Sequence, residues 1–330
     1  MRDSFIRALT ELAGEDPRTM LVNGDLGFSV LDDFRARFPG NYVNAGVAEQ
    51  NMTAVACGMA LAGARSYTYS IANFPTLRCL EQLRNDVCYH RADVTVVAVG
   101  GGFSYGQLGM SHFATEDLAI LRALPEMVVV APSDPWQAYA LTRQLHARGG
   151  PAYLRLDKAQ AGLPEGEVVL GQVRTVRDGA DAVIFAVGGI LGEALAAAEM
   201  LAEDGVSVRV VDVHTLKPFD AEGVCAAARA CSYVLTLEEH SVIGGLGGAV
   251  AEACLEGGVA VRGFTRVGLD DLYPSEVGDQ QYLRAHYGVD RHAVAIRLRT
   301  MMGLDTLVPS RHRKISSSVE PLAAGEERTV

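Results

Sequence analysis

The strongest constraint on the fold is an alternation that runs along the chain. Short runs rich in β-branched and aromatic residues, "TMLVN", "SYTYS", "VTVVAV", "MVVVA" and "AYLRL", read as buried strands. Helical stretches are expected between them, near 3–14, 47–63, 76–89, 116–123 and 135–148. Strands alternating with helices are the pattern of a parallel α/β sheet. The periodicity breaks where Gly, Pro and Glu collect in "DKAQAGLPEGEVVLGQ". It restarts with "AVIFAV", "VSVRVVDV", "YVLTLEEH" and "VAVRGFTRVG", with helices expected near 191–204, 220–230, 247–256, 276–286 and 290–302. A chain of 330 residues is also long for one core. The expected architecture is α/β, two consecutive parallel-sheet domains at 1–160 and 176–309 joined by a linker at 161–175. Residues 310–330 lack apolar periodicity and are expected to form a disordered tail.

Several function classes are excluded by charge and patterning. A net charge of −11 argues against a nucleic-acid partner, which needs a basic face to neutralise phosphates. It leaves room for a small anionic substrate held by a few local cations. The longest apolar candidate, "AVIFAVGGILGEALAAAEML", is interrupted by Gly188, Gly189 and Glu193, so no membrane span is expected. The N-terminus reads as an amphipathic helix with acids on it rather than a signal peptide. Six scattered cysteines contain no C-x-x-C pair, which weakens zinc and dithiol readings and favours reduced, buried thiols in a cytoplasmic protein.

Candidate chemistry gathers at strand ends. In "NAGVAEQNM", Glu49 enters a helix of small residues with no Lys or Arg beside it in the sequence, so the acid is expected to lack a charged partner. "NGDLGFS" carries Asp25 and Ser29, "GMSHFATEDL" carries His112, and "PAYLRLDK" presents Arg155 and Lys158. The Gly-rich loops "VGGGFSYG" and "GGLGG" match neither a dinucleotide-binding nor a P-loop spacing. They read as turns needing φ > 0 and as close helix–strand packing. Asp25, Glu49, His112 and Lys158 all follow predicted parallel strands, whose carboxyl ends share one edge and can line one cleft.

Taken together, "NAGVAEQNMTAVACGMALAG" and "GMSHFATEDLAILRALPEMVVVAPSDPWQA" resemble conserved blocks of the transketolase superfamily. "VRVVDVHTLKPFD", "EEHSVIGGLGGAVAEA" and "GLDDLYPSEVG" resemble its C-terminal domain, and the likeness is collinear over about residues 2–302. The resemblance implies a pyrimidine-binding domain followed by the C-terminal domain, with thiamine diphosphate as cofactor. No G-D-G…N diphosphate motif is present, so the chain resembles the C-terminal (β) subunit of a split transketolase. A partner α subunit would hold the diphosphate through Mg2+ or Ca2+, in an α2β2 assembly, with no metal held by this chain.

The same resemblance assigns roles to residues. Glu49 would bond the N1′ nitrogen of the aminopyrimidine, which lets that ring take the C2 proton of the thiazolium. Phe74 and Ile71 would pack against the pyrimidine, and Asp25 lies near the cofactor. Ser29, Arg2 and Lys158 fall at positions that grip a substrate phosphate, Lys158 replacing the usual Arg and its bidentate fork. His112 would face the substrate. Family members commonly carry His and Asp where this chain has Gly100 and Leu108. That loss removes hydrogen bonds to a polyhydroxylated sugar and implies a less hydroxylated or differently placed substrate, or replacements from the partner. The expected activity is transfer of a two-carbon ketol unit between sugars or sugar-like molecules. Alternatives are the β subunit of a 2-oxo acid dehydrogenase or decarboxylase, a deoxyxylulose-phosphate-synthase-like enzyme, or a non-catalytic scaffold.

Overall fold

A computed structural model describes residues 1–304. The expected tail at 310–330, and the last residues of the expected second domain, lie outside the described residues. The first sheet is seven-stranded, in the order β10-β5-β6-β4-β3-β1-β2. Its strands are β1 (Thr19–Asn23), β2 (Tyr42–Asn44), β3 (Arg65–Ile71), β4 (Val94–Val99), β5 (Val128–Val130), β6 (Ala152–Leu156) and β10 (Thr215–Lys217). All pairs are parallel except that of β10 with β5. The second sheet is five-stranded, β12-β11-β8-β9-β7. It comprises β7 (Arg174–Arg177), β8 (Ala182–Ala186), β9 (Val208–Asp212), β11 (Tyr233–Ser241) and β12 (Gly263–Leu269), with β7 antiparallel to β9.

Every residue of β4, "VTVVAV", is buried, as a central parallel strand covered on both faces requires. The first sheet is closed on one side by helices Arg2–Glu15 and Pro135–Arg148. On its other side one apolar cluster runs on into the second sheet, joining Met52, Leu83, Leu118 and Leu121 to Phe185, Val211 and Val213. The two sheets therefore share a core. Among the described residues no helix is long and apolar enough to cross a membrane.

Differences from the sequence reading fall on short or interrupted elements. Strands β2 and β10, three residues each, and the helix Asp32–Arg37 are too brief to show a period. The helix expected over 276–286 begins only after Gly278, where Asp279 caps it by accepting from the Tyr282 amide at 2.8 Å. The stretch at 76–89 is a single turn Leu80–Gln82 followed by a π-helical turn Leu83–Cys88. The irregular segment after β6 is laid along helix 135–148. There Trp136 Nε1 donates to the Leu163 carbonyl and Gln144 bonds Val168 and Leu170.

Candidate active site

Because β1, β2, β3, β4 and β6 are mutually parallel, their carboxyl ends open on one edge. After β1 the chain turns through Asp25 and Ser29, both exposed and at φ 58° and 66°. Asp25 Oδ1 accepts from Asn44 Nδ2 at 2.8 Å, and Asn44 Oδ1 accepts from the Gly46 amide at 2.9 Å. Gly46 at φ +73° makes the turn into the helix Glu49–Leu61. The turns after β1 and β2 are thus fastened together, and they aim Glu49 at the edge.

Glu49 is 2 % exposed. It is not unpartnered, contrary to the expectation from its sequence neighbours. Arg78 Nη1 donates to Glu49 Oε2 at 2.6 Å. Arg78 arrives from the turn after Phe74, and its carbonyl accepts from Gln50 Nε2 at 3.1 Å. Its guanidinium also lies 4.9 Å over the Phe74 ring. His112 meets the same ring edge-on, centroids 5.1 Å apart. His112 Nδ1 is 3.0 Å from Ser111 Oγ, and Asn73 Nδ2 donates to the Ser111 carbonyl at 2.7 Å, so the loops after β3 and β4 are tied. Half-buried Ile71 ends β3, and its carbonyl accepts from the Phe74 amide at 2.8 Å. The fold brings Glu49 and Phe74 together around Arg78, with His112 on the Phe74 ring; nothing in the sequence marks Arg78 for this place although it stands four places after Phe74.

A second group lies past β6. Lys158 Nζ stands 3.9 Å over the Tyr105 ring. Burial depresses its pKa, the nearby charge of Arg2 adds to that, and Asp157 opposes. Arg2, which pairs with Asp3 at 3.2 Å, acts on Tyr105 as well, so Arg2, Tyr105 and Lys158 occupy one corner. Arg155 does not face the cleft. It is buried, donates to the Ala114 and Glu239 carbonyls at 2.8 and 3.0 Å, and pairs with Asp117.

The transketolase pyrimidine-binding-domain model matches residues 1–162, and the transketolase C-terminal-domain model matches residues 171–294. The chain belongs to the transketolase family. It is 35% identical over 308 residues to a putative transketolase C-terminal section of Methanocaldococcus jannaschii, covering 92% of this chain and 96% of that protein. It is 36% identical over 300 residues to an apulose-4-phosphate transketolase subunit of Phocaeicola vulgatus, covering 89% of this chain and 94% of that one. A solved structure of a split gene transketolase, an inactive beta4 tetramer, superposes with a TM-score of 0.81 at 34% identity, covering 92% of this chain and 98% of that one.

The "VGGGF" loop is tightly packed at each of its three glycines. Gly100 has φ +91°, and a Cβ there would overlap the Tyr105 ring. A Cβ at Gly101 would overlap the Arg155 guanidinium, and one at Gly102 the Glu239 carboxylate. Gly100 and Gly102 have the positive φ expected of turns, but the close neighbours are three specific side chains rather than a packed helix. Leu108 is 54% exposed on the following turn. The C-terminal half holds the loop in place. Glu239 Oε1 accepts from the Phe103 amide at 2.5 Å, and Gln280 Nε2 donates to Glu239 and to Asp157 at 2.8 and 3.0 Å. Arg284 is ion-paired with Glu239.

Proposed function

We propose that this chain is the β-type subunit of a split, thiamine-diphosphate-dependent transketolase, moving a two-carbon ketol unit between phosphorylated sugars or sugar-like molecules. The observation that carries this reading is the Glu49–Arg78–Phe74 arrangement. A buried carboxylate faces a planar group that donates an N–H to it and lies over an aromatic ring. An aminopyrimidine protonated on its ring nitrogen makes the same two kinds of contact, so the residues present fit that half of the cofactor. Bound thiamine diphosphate supplies an electron sink for cleavage next to a carbonyl. Glu49 would hold the pyrimidine's ring nitrogen and share a proton with it, in place of its present bond from Arg78. Phe74 and Ile71 orient the ring, and Asp25 fixes the turn beside it. His112 donates to or accepts from a substrate oxygen at the cleft mouth. Ser29, Arg2 and Lys158 bind the substrate's phosphate, Lys158 as a point charge rather than a fork.

The diphosphate and its Mg2+ or Ca2+ are assigned to an α partner, in an α2β2 assembly. Large apolar side chains near the cleft support a covering partner: Phe28 is 81% and Val47 74% exposed. The name of the solved relative, an inactive beta4 tetramer, supports self-association and dependence on a second chain. All six cysteines are buried and free, which supports a reducing compartment such as the cytoplasm.

The test mixes the chain with its partner, thiamine diphosphate and Mg2+, and follows exchange of the C2 proton by NMR. Glu49→Gln is expected to abolish exchange with the circular dichroism spectrum retained. Near-normal exchange in that variant refutes the role of Glu49, and turnover by this chain alone refutes the split-subunit reading.

A further inference from the structure

Tyr105 has no part in the roles assigned above, yet three observations set it in the cleft. Its ring lies in the room that a side chain at Gly100 would need, at the carboxyl end of β4. The Lys158 ammonium stands 3.9 Å over the centre of that ring. The loop that carries it is held on both sides. Ser104 Oγ donates to Asp157 Oδ1 at 2.6 Å and accepts from the Lys158 amide at 3.3 Å. The Gly106 carbonyl accepts from the Gly278 amide at 3.2 Å, and a Cβ at Gly106 would overlap the Gly278 carbonyl.

The charge around Lys158 favours an incoming anion. Its neighbour Asp157 gives Oδ1 to Ser104, Gln280 and the Ala159 amide rather than to the ammonium. An aromatic face holds a cation without cancelling its charge. Arg2, although paired with Asp3, brings a second cation to the same corner.

We propose that Tyr105 is a specificity-determining residue of the cleft: its ring face holds the Lys158 ammonium for a tetrahedral oxyanion at the end of the substrate, and its bulk occupies the space that Gly100 leaves open. The inference rests on the reading of Lys158 as substrate-facing. The cleft thereby selects on the anionic end of the sugar, where a hydrogen-bonding side chain at position 100 would select on hydroxyls.

The test uses the chain reconstituted with its partner, thiamine diphosphate and Mg2+. Hydroxypyruvate is the donor, and glyceraldehyde 3-phosphate and glyceraldehyde are the acceptors. Tyr105→Leu is expected to lower the ratio of kcat/KM for the phosphorylated over the unphosphorylated acceptor about tenfold, through KM. Tyr105→Phe, which keeps the ring face, is expected to restore most of that ratio. Gly100→Ala, which pushes the ring aside, is expected to reproduce the Leu variant and to add little to it in the double variant. An equal fall with both acceptors, or an unchanged ratio, overturns the proposal. If the wild-type complex transfers to neither aldehyde, the transketolase reading fails instead. Calorimetric titration with inorganic phosphate then decides on Tyr105: binding weakened about tenfold in Tyr105→Leu supports it, and equal binding overturns it.

Discussion

Replacing Arg78 with alanine separates two roles that its geometry allows. The guanidinium gives Glu49 Oε2 a 2.6 Å bond and lies 4.9 Å over Phe74. A hydrogen bond between charged groups contributes about 1.5–3 kcal/mol, and a partly exposed cation–π contact about 0.5–1 kcal/mol. Arg78 is half exposed, which screens the pair, while Glu49 is 2 % exposed and loses its partner inside the protein. The net cost to the chain without cofactor is therefore about 1–2 kcal/mol. If the guanidinium stands where the aminopyrimidine binds, the cofactor-bound complex has already lost that contact and bears little of this cost. Linkage then converts destabilisation of the free chain into affinity. Arg78→Ala is expected to tighten thiamine diphosphate binding by about 5–30-fold while lowering the free chain's stability. Urea unfolding of the chain measures the change in stability, and titration of the reconstituted complex followed by circular dichroism measures the change in affinity. A cycle with Glu49→Gln should return a coupling of about 1 kcal/mol in the free chain. Weaker cofactor binding with unchanged stability would refute the reasoning and make Arg78 a cofactor ligand.

Three further outcomes are expected. His112→Ala should lower kcat/KM for substrate well beyond any change in cofactor affinity, and titration alongside steady-state rates would reveal the opposite pattern. Gly102→Ala drives a Cβ into the Glu239 carboxylate at φ +56°, and is expected to cost about 2 kcal/mol or more in urea unfolding. Burial pushes Asp212 from 3.8 up to about 6 against bonds from Gln137 and Ser133, and burial with the Arg174 charge takes His214 from 6.5 down to about 4. Folded Asp212 keeps a proton that the unfolded chain has lost, so its contribution falls as pH rises from about 4 to 6. His214 stays neutral where the unfolded chain protonates it, so its contribution rises over nearly the same window. The two nearly cancel, and Asp212→Asn should uncover a gain relative to the parent of up to about 3 kcal/mol between pH 4 and 6. A pH-independent difference would show that Asp212 does not titrate there.

Where the sequence was legible, the reason is local. Buried parallel strands carry their β-branched residues contiguously, so β1, β3, β4, β6 and β8 appear as runs in the chain. Parallel pairing then puts Asp25, Glu49, His112 and Lys158 at one edge without any knowledge of contacts. What stayed hidden depends on partners distant along the chain. The three residues of β10 give no period, and only the shared core explains why they extend the first sheet. Glu49 looked unpartnered because its sequence neighbours do not include the guanidinium that the next strand's turn delivers. The "VGGG" run states the limit most clearly. A glycine records that something comes close and does not say what, so Arg155 and Glu239 beside Gly101 and Gly102 could not be named from it. At Gly100 the sequence alone shows a missing side chain. The structure shows the Tyr105 ring in its room, which puts an aromatic face with an ammonium over it where the sequence alone shows a gap.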